Sequence, residues 1–248
     1  MADAGDVFGH ALRDWAGGGT EPEIFERDDG FTETGVGHEL YVAGFAGWPS
    51  PERRAMRYVS GRVIDVGCAA GRVPLHLQQR GYDVVGLDAS PLAARTARAR
   101  GVTDVWCMSA DALTTRIGSF DTIVLFGNNF GIFGTPARLR RVLTSWARRT
   151  PPGARILAES TNPYCGGAPT LTRGYYFRNR HRGLPPGQVR LRIHYRDSTT
   201  PWFTWLFVSR REMRTLLRGT GWHQSRVLGA TPADPYVAVL EKDRLTRP

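Results

Sequence analysis

Three aspartates stand where predicted strands end: Asp65, Asp88 and Asp111. Asp65 lies two residues before the first glycine of Gly67-Cys68-Ala69-Ala70-Gly71. That run of small residues separates a short apolar stretch, Val63–Val66, from a helical pattern over Val73–Arg80 that Gly81 closes. A strand, a tight loop and a helix make a corner where backbone N–H groups can approach a ligand closely. Asp88 ends the next apolar run, the place for a carboxylate that accepts from both hydroxyls of a ribose. Asp111, in Ser109-Ala110-Asp111-Ala112, follows the third strand and could accept from the exocyclic amine of a purine. Each acid alone is more often a turn or cap residue; three at consecutive strand ends point to a nucleoside. The glycines are spaced G-x-x-x-G, not G-x-G-x-x-G, and the absence of a lysine excludes a P-loop.

These residues need a scaffold that brings strand ends to one edge, and the pattern from Arg62 onward supplies it. After Val63–Val66 come strands at Asp83–Asp88, Val105–Met108, Phe120–Phe126 and Arg155–Glu159. Predicted helices intervene from Ser90-Pro91 to Arg100 and from Thr135-Pro136 through Trp146. This alternation predicts a parallel, doubly wound sheet. Residues 161–186 carry little periodicity. Gln188–Tyr195 and Trp202–Val208 then read as a β-hairpin turning at Asp197–Pro201. Ser209-Arg210-Arg211-Glu212 reads as a capping box, and His223–Leu228 and Tyr236–Leu240 as antiparallel closing strands. Residues 1–60 read as a helical leader, with helices at Asp6–Trp15 and Ser50–Val59 around an acidic, glycine-broken stretch from Glu21 to Gly37.

The chain has 248 residues, enough for one α/β domain with an inserted subdomain. No stretch is apolar and long enough to span a bilayer, and the acidic start does not read as a signal peptide. Cys68, Cys107 and Cys165 form no CxxC pair, which predicts a cytoplasmic protein without a zinc site or disulfide framework. The net charge is +10, but Lys242 is the one lysine. Residues 1–60 carry net −6 and the remainder +16. With no basic run interleaved with aromatics, nucleic acid is not the expected partner and an arginine-rich solvated surface is.

On the residues of its first loop and the two following acids, the chain resembles the class I S-adenosylmethionine (SAM)-dependent methyltransferases, well over roughly residues 55–160 and loosely beyond. That family's loop usually reads D/E-x-G-x-G-x-G; here Ala69 replaces the middle glycine. Pro151-Pro152-Gly153 matches the family's frequent R-P-G-G turn. The resemblance implies SAM as cofactor and a Rossmann-like, mostly parallel seven-stranded sheet, with the hairpin inserted after the fifth of its strands. It further implies that Asp65 holds the methionine amino end and that Gly67, Cys68, Ala69 and Gly71 pass beneath the methionine part. Asp88 would bind the ribose, with Ala89 packing on the adenine. Asp111, with Ala112 alongside, would bind the adenine amine, and Asn128 would touch the cofactor.

The acceptor of the methyl group is expected beside Phe126-Gly127-Asn128-Asn129-Phe130-Gly131, which lacks the prolines of the N/D-P-P-Y/F motif of some amine methyltransferases. Asn129, Phe130, Tyr164 and Arg192 are the expected pocket residues. Glu159, His38 and Tyr41 are the candidates for a catalytic group, and no metal is expected. Residues 161–218 hold 11 Arg against 2 acids. Arg173, Arg178, Arg180, Arg190 and Arg192 could therefore clamp an anionic acceptor, or form only a wet face.

The expected protein is thus a SAM-dependent methyltransferase of a small molecule, in secondary metabolism, monomeric or homodimeric. It would have an N-terminal leader (1–60), a SAM-binding domain (61–248) and a substrate-capping insertion (161–208). An RNA or protein methyltransferase, or a cyclase-like SAM-binding protein that transfers no methyl group, is the alternative.

Overall fold

A run of four fully buried residues, Val63–Val66, starts the main sheet. In this computed structural model, residues 6–35, 37–115, 117–165, 169–229, 231 and 234–243 are described, except for the side chains of residues 38, 114, 115 and 169–173. The strands in chain order are β1 (Ile24–Arg27), β2 (Thr32–Thr34), β3 (Val63–Val66), β4 (Val84–Asp88), β5 (Val105–Cys107) and β6 (Thr122–Leu125). They continue as β7 (Arg155–Ser160), β8 (Gln188–Tyr195), β9 (Ser198–Thr199), β10 (Phe203–Leu206), β11 (Trp222–Leu228) and β12 (Tyr236–Lys242). The helices are α1 (Val7–Ala16), α2 (His38–Tyr41), α3 (Ser50–Ala55), α4 (Arg72–Gln78), α5 (Pro91–Ala99), α6 (Pro136–Arg149), α7 (Pro169–His181) and α8 (Arg210–Leu217).

Seven strands form one sheet in the order β11-β12-β7-β6-β3-β4-β5. β4 runs parallel to β5, and β6 to β7. β12 is antiparallel to both β7 and β11, as two strands joined by a short loop must be. The central strands read as unbroken apolar runs because helices cover both faces of such a sheet. The expected α/β class and strand count hold. A second sheet has the order β10-β8-β1-β2, with β9 on β8.

Two expectations are corrected. The leader is not only helical: Ile24, Phe25, Glu26 and Arg27 pair antiparallel with His194, Ile193, Arg192 and Leu191. On one edge β1 pairs with β2 across the Asp28-Asp29-Gly30 turn, a local hairpin signal that the sequence reading passed over; on the other it pairs with β8, far along the chain. Residues 169–181, which carry little periodicity, form α7. The chain folds into two compact units. One holds Met1–Pro49, Ile64–Ala112 and Val189–Phe203; the other holds Ser50–Val63, Leu113–Gln188 and Thr204–Pro248.

Candidate cofactor and acceptor sites

In the first unit, β3 carries Asp65 to its end at 3% exposure. The chain then turns through Gly67 (φ 79°), Ala69 (φ 50°) and Gly71 (φ 81°), left-handed positions that favour glycine. At Gly71 a side chain is excluded twice over, since a Cβ there would also lie 2.7 Å from Val102 Cγ2. The amides of Gly67 and Cys68 both donate to the Leu87 carbonyl, at 2.7 and 2.9 Å, which hangs the loop on β4. Cys68 is buried against Gly86, and burial, reinforced by the charges of Asp88 and Asp65, pushes its thiol well above the usual range. It is a packed, neutral thiol rather than a nucleophile.

Asp88 ends β4 half-buried and holds both sides of the corner. Its Oδ2 accepts from the Ala69 amide and its Oδ1 from the Ser90 amide, both at 2.9 Å. Burial raises its pKa and these backbone donors oppose the rise. The Ala89 amide is a further donor to this carboxylate, and with about two acceptor positions per oxygen the group keeps capacity for a hydroxyl. Ala89, exposed beside it, offers a small apolar surface. Asp111 opens a 3-10 turn (Ala110–Thr115), with its Oδ2 3.4 Å from the Ser109 hydroxyl, and Ala112 is exposed next to it. Acceptor-only carboxylates at successive strand ends, small residues between them and a loop of positive φ fit a ribonucleoside with an amino-purine base.

The leader also builds on this loop, which the sequence did not reveal. Val7, Ala11, Leu12 and Trp15 of α1 form one buried cluster with Ala70, Ala93 and Tyr195, joined by Phe8, Tyr41, Val42 and Ala69. Trp15 stacks on Tyr41 at 5.5 Å. Arg100 donates to the carbonyls of Ala70, at 2.6 Å, and Val42, at 3.0 Å. Of the leader's catalytic candidates, Tyr41 is therefore a member of this ring cluster, while the His38 side chain lies outside the described residues, as does that of Arg173.

Arg192 is committed elsewhere. Its Nε and Nη2 donate to the two oxygens of Glu26 at 2.7 and 2.9 Å, lowering the carboxyl pKa of Glu26. It shares its side of β8 with exposed Arg190, whereas Val189, Ile193 and Tyr195 are buried. The strand's alternation thus puts Arg192 on the wet face, paired with Glu26. His194 also bonds Glu26, and its Nδ1 meets the Thr199 hydroxyl at 2.9 Å.

In the second unit, β6 ends in a left-handed pair, Gly127 (φ 67°) and Asn128 (φ 62°). The Thr161 hydroxyl donates to Asn128 Oδ1 at 2.8 Å, and the Trp205 indole donates to the Asn128 carbonyl at 3.1 Å. Glu159 is buried at 4% exposure, and its Oε2 accepts from the Gly127 amide at 2.8 Å. Asn129 is buried in the following 3-10 turn, and Phe130 has no exposed surface, so Phe130 is core beneath the turn rather than a pocket wall. Tyr164 is exposed and donates its hydroxyl to Glu212 Oε1 at 2.5 Å. Partial burial, then the bond to Glu212, raises the phenol's pKa. Among the described residues, no three or more His, Cys, Asp or Glu side chains group so as to hold a metal ion, and no helix is long and apolar enough to cross a membrane.

Residues 63–153 match the family model described as a methyltransferase domain. A 2-heptyl-1-hydroxyquinolin-4(1H)-one methyltransferase of Mycobacteroides abscessus is 35% identical over 106 residues, which cover 40% of this chain and 45% of that protein. The match thus spans less than half the length of this curated relative. Among solved structures, a SAM-dependent methyltransferase from Bacteroides fragilis in complex with S-adenosyl-L-homocysteine (SAH) has a TM-score of 0.78 at 20% identity, covering 98% of each chain. A SAM-dependent methyltransferase from Methanosarcina mazei has a TM-score of 0.60 at 19% identity, covering 77% of this chain and 97% of that one.

Proposed function

We propose that this chain, which carries a class I SAM-dependent methyltransferase domain, transfers a methyl group to a small-molecule acceptor of secondary metabolism. The observation that carries the reading is the corner made by Asp88 with the Ala69 and Ser90 amides, on a loop of small residues that turns left-handed at Gly67, Ala69 and Gly71. The small acceptor is supported by the M. abscessus relative, whose name gives a hydroxyquinolinone as what it methylates. The free cysteines Cys68, Cys107 and Cys165 are in keeping with a reducing, cytoplasmic setting.

The bound cofactor supplies a methyl group on a sulfonium, which is already activated for transfer. The protein's task is then chiefly to hold and orient. In our assignment Asp65 takes the methionine amino end, Gly67, Cys68, Ala69 and Gly71 pass beneath the methionine part, and Asp88 takes the ribose hydroxyls. Ala89, Asp111 and Ala112 take the base. Asn128, its amide fixed by Thr161, remains a cofactor contact, and Asn129 and Tyr164 the acceptor residues. No general base is assigned: the Glu159 carboxylate holds the Gly127 amide and Tyr41 packs among aromatic rings.

The test is incubation with labelled SAM and, separately, a panel of small hydroxy-, amino- and heteroaromatic acceptors, total RNA and bulk protein. The reading expects SAH and a methylated small molecule. Label entering only RNA or protein, or methylthioadenosine formed without a methylated product, would contradict it.

A further inference from the structure

We infer that Asp6 is a positioning residue for cofactor binding, tying α1 to the turn that holds Asp88, so that docking of the leader helix and binding of the cofactor strengthen each other. The inference rests on the reading of Asp88 and the Gly67–Gly71 loop as the cofactor site.

One carboxylate caps two helices here. Asp6 Oδ1 accepts from the Gly9 amide at 3.1 Å, which is the N-cap of α1. Asp6 Oδ2 accepts from the Leu92 amide at 2.9 Å, in the first turn of α5, and from the Ser90 hydroxyl at 2.6 Å. Ser90 is itself the N-cap of α5, taking the Ala93 amide on its Oγ at 2.9 Å. The backbone amide of Ser90 meanwhile donates to Asp88 Oδ1. A single serine therefore joins the leader's carboxylate to the carboxylate assigned to the ribose.

The packing around this joint is specific. A Cβ at Gly9 would lie 2.5 Å from both Asp6 Oδ1 and Ser90 Oγ, so any larger residue would wedge the two helices apart. The apolar side of α1 is buried with Ala70 of the loop and Ala93 of α5, and with partly buried Ala69. Ala69 is also the second donor to Asp88. Hydrogen bonds and apolar burial both fasten α1 to the backbone groups that aim Asp88. An ordinary surface cap would satisfy its own helix and stop there.

Two sites coupled through a shared element must be coupled reciprocally: whatever factor the docked helix adds to ligand affinity, the ligand returns to helix docking. The variant that separates this from simple helix capping is Asp6→Asn. Asparagine caps as well as aspartate does, so α1 keeps its own cap. It has one acceptor oxygen instead of two, so it cannot accept from the Gly9 amide and the Leu92 amide together, and the bridge between the two helices is broken at Leu92.

The experiment is calorimetric titration of the full chain with SAH, paired with hydrogen exchange of the 7–16 amides with and without SAH. The inference expects Asp6→Asn to weaken SAH binding about tenfold, within the usual range of such couplings. It expects SAH to slow exchange over α1 in the wild type by a similar factor, and this protection to be lost in the variant. Ser90→Ala, which removes the shared hydroxyl, should shift both readouts in the same direction. SAH affinity unchanged in Asp6→Asn, or α1 exchange unaffected by SAH in the wild type, overturns the inference while leaving the cofactor assignment standing. A wild-type protein that binds no SAH overturns both.

Discussion

The amide of Ala69 donates to Asp88 Oδ2 at 2.9 Å, so the residue that replaces the usual middle glycine of the loop is held by the carboxylate assigned to the ribose. Ala69 sits at φ 50°, a left-handed conformation that costs an alanine energy, and this bond is part of what holds it there. Replacing Asp88 by asparagine keeps the shape and one acceptor but removes the charge. Hydrogen bonds to charged groups contribute about 1.5–3 kcal/mol. Asp88→Asn should therefore weaken SAH binding by one to two orders of magnitude. The same carboxylate carries a pKa raised by burial. Hydroxyl donors prefer its ionised form, so SAH affinity in the wild type should fall as the pH drops, starting above the ordinary carboxylate range. Calorimetry across pH reads both effects.

Gly71 is the loop's steric checkpoint. Gly71→Ala places a Cβ on a residue at φ 81° and within 2.7 Å of Val102 Cγ2. The strain alone should cost about 2 kcal/mol, roughly 6 °C in Tm for a chain of this size. A thermal melt reads it, and a Tm equal to the wild type would mean that the loop relaxes freely.

Much of the scaffold around this candidate site was legible in the sequence because its determinants are local. Val63–Val66 and Thr122–Leu125 are apolar runs, Ser90-Pro91 is a cap followed by a helix-starting proline, and Ser209 and Glu212 form the capping box as read. Apart from the local β1–β2 hairpin, what was not legible depends on partners far along the chain. Glu26 meets His194 across 168 positions, and nothing in the stretch from Glu21 to Gly37 signals that β8 will pair with it. Arg192 read as a free cation because its carboxylate partner lies in the leader. Phe130 read as a pocket residue because it follows the end of the fourth strand, and position along the chain does not tell which side of the turn is filled; the structure buries it completely.

Asn128 is oriented by Thr161, whose hydroxyl fixes Oδ1 as the acceptor and so points the amide nitrogen the other way. Thr161→Val removes that donor at a cost of about 1 kcal/mol. If the oriented amide serves the cofactor, SAH affinity should fall about fivefold, and Thr161→Ser should restore it. Titration of the pair decides: equal affinity in Thr161→Val and the wild type would release Asn128 from the site.

Cys107 and Cys68 should differ sharply towards a thiol reagent. Cys107 is exposed, whereas Cys68 is buried with a pKa pushed well above the free thiol's. Reactivity follows the accessible thiolate, so Cys107 should account for the fast phase of disulfide-reagent labelling and Cys68 should react only on unfolding. Loss of the fast phase in Cys107→Ser checks this.

Tyr164 carries a phenol pKa raised by burial and by its bond to Glu212. A raised acid pKa favours the folded protein below the unfolded tyrosine value, near 10, and that contribution is lost as the pH climbs past it. Tyr164 is thus a protonated donor at neutral pH. Tyr164→Phe should leave the pH profile of methyl transfer unchanged between pH 6 and pH 9 (on the order of the ordinary working range) and should flatten part of the alkaline loss of stability. A basic limb present in the wild type and missing in the variant would identify Tyr164 as a titrating catalytic group instead.

The most direct measurement is calorimetric titration of the purified wild-type chain with SAM and with SAH, repeated on Asp88→Asn. The account predicts saturable binding of both ligands by the wild type and a loss of at least tenfold in the variant, with the variant still folded by circular dichroism. No binding of either ligand, or the same affinity with and without the Asp88 carboxylate, would contradict the assignment of the Gly67–Gly71 corner as the cofactor site.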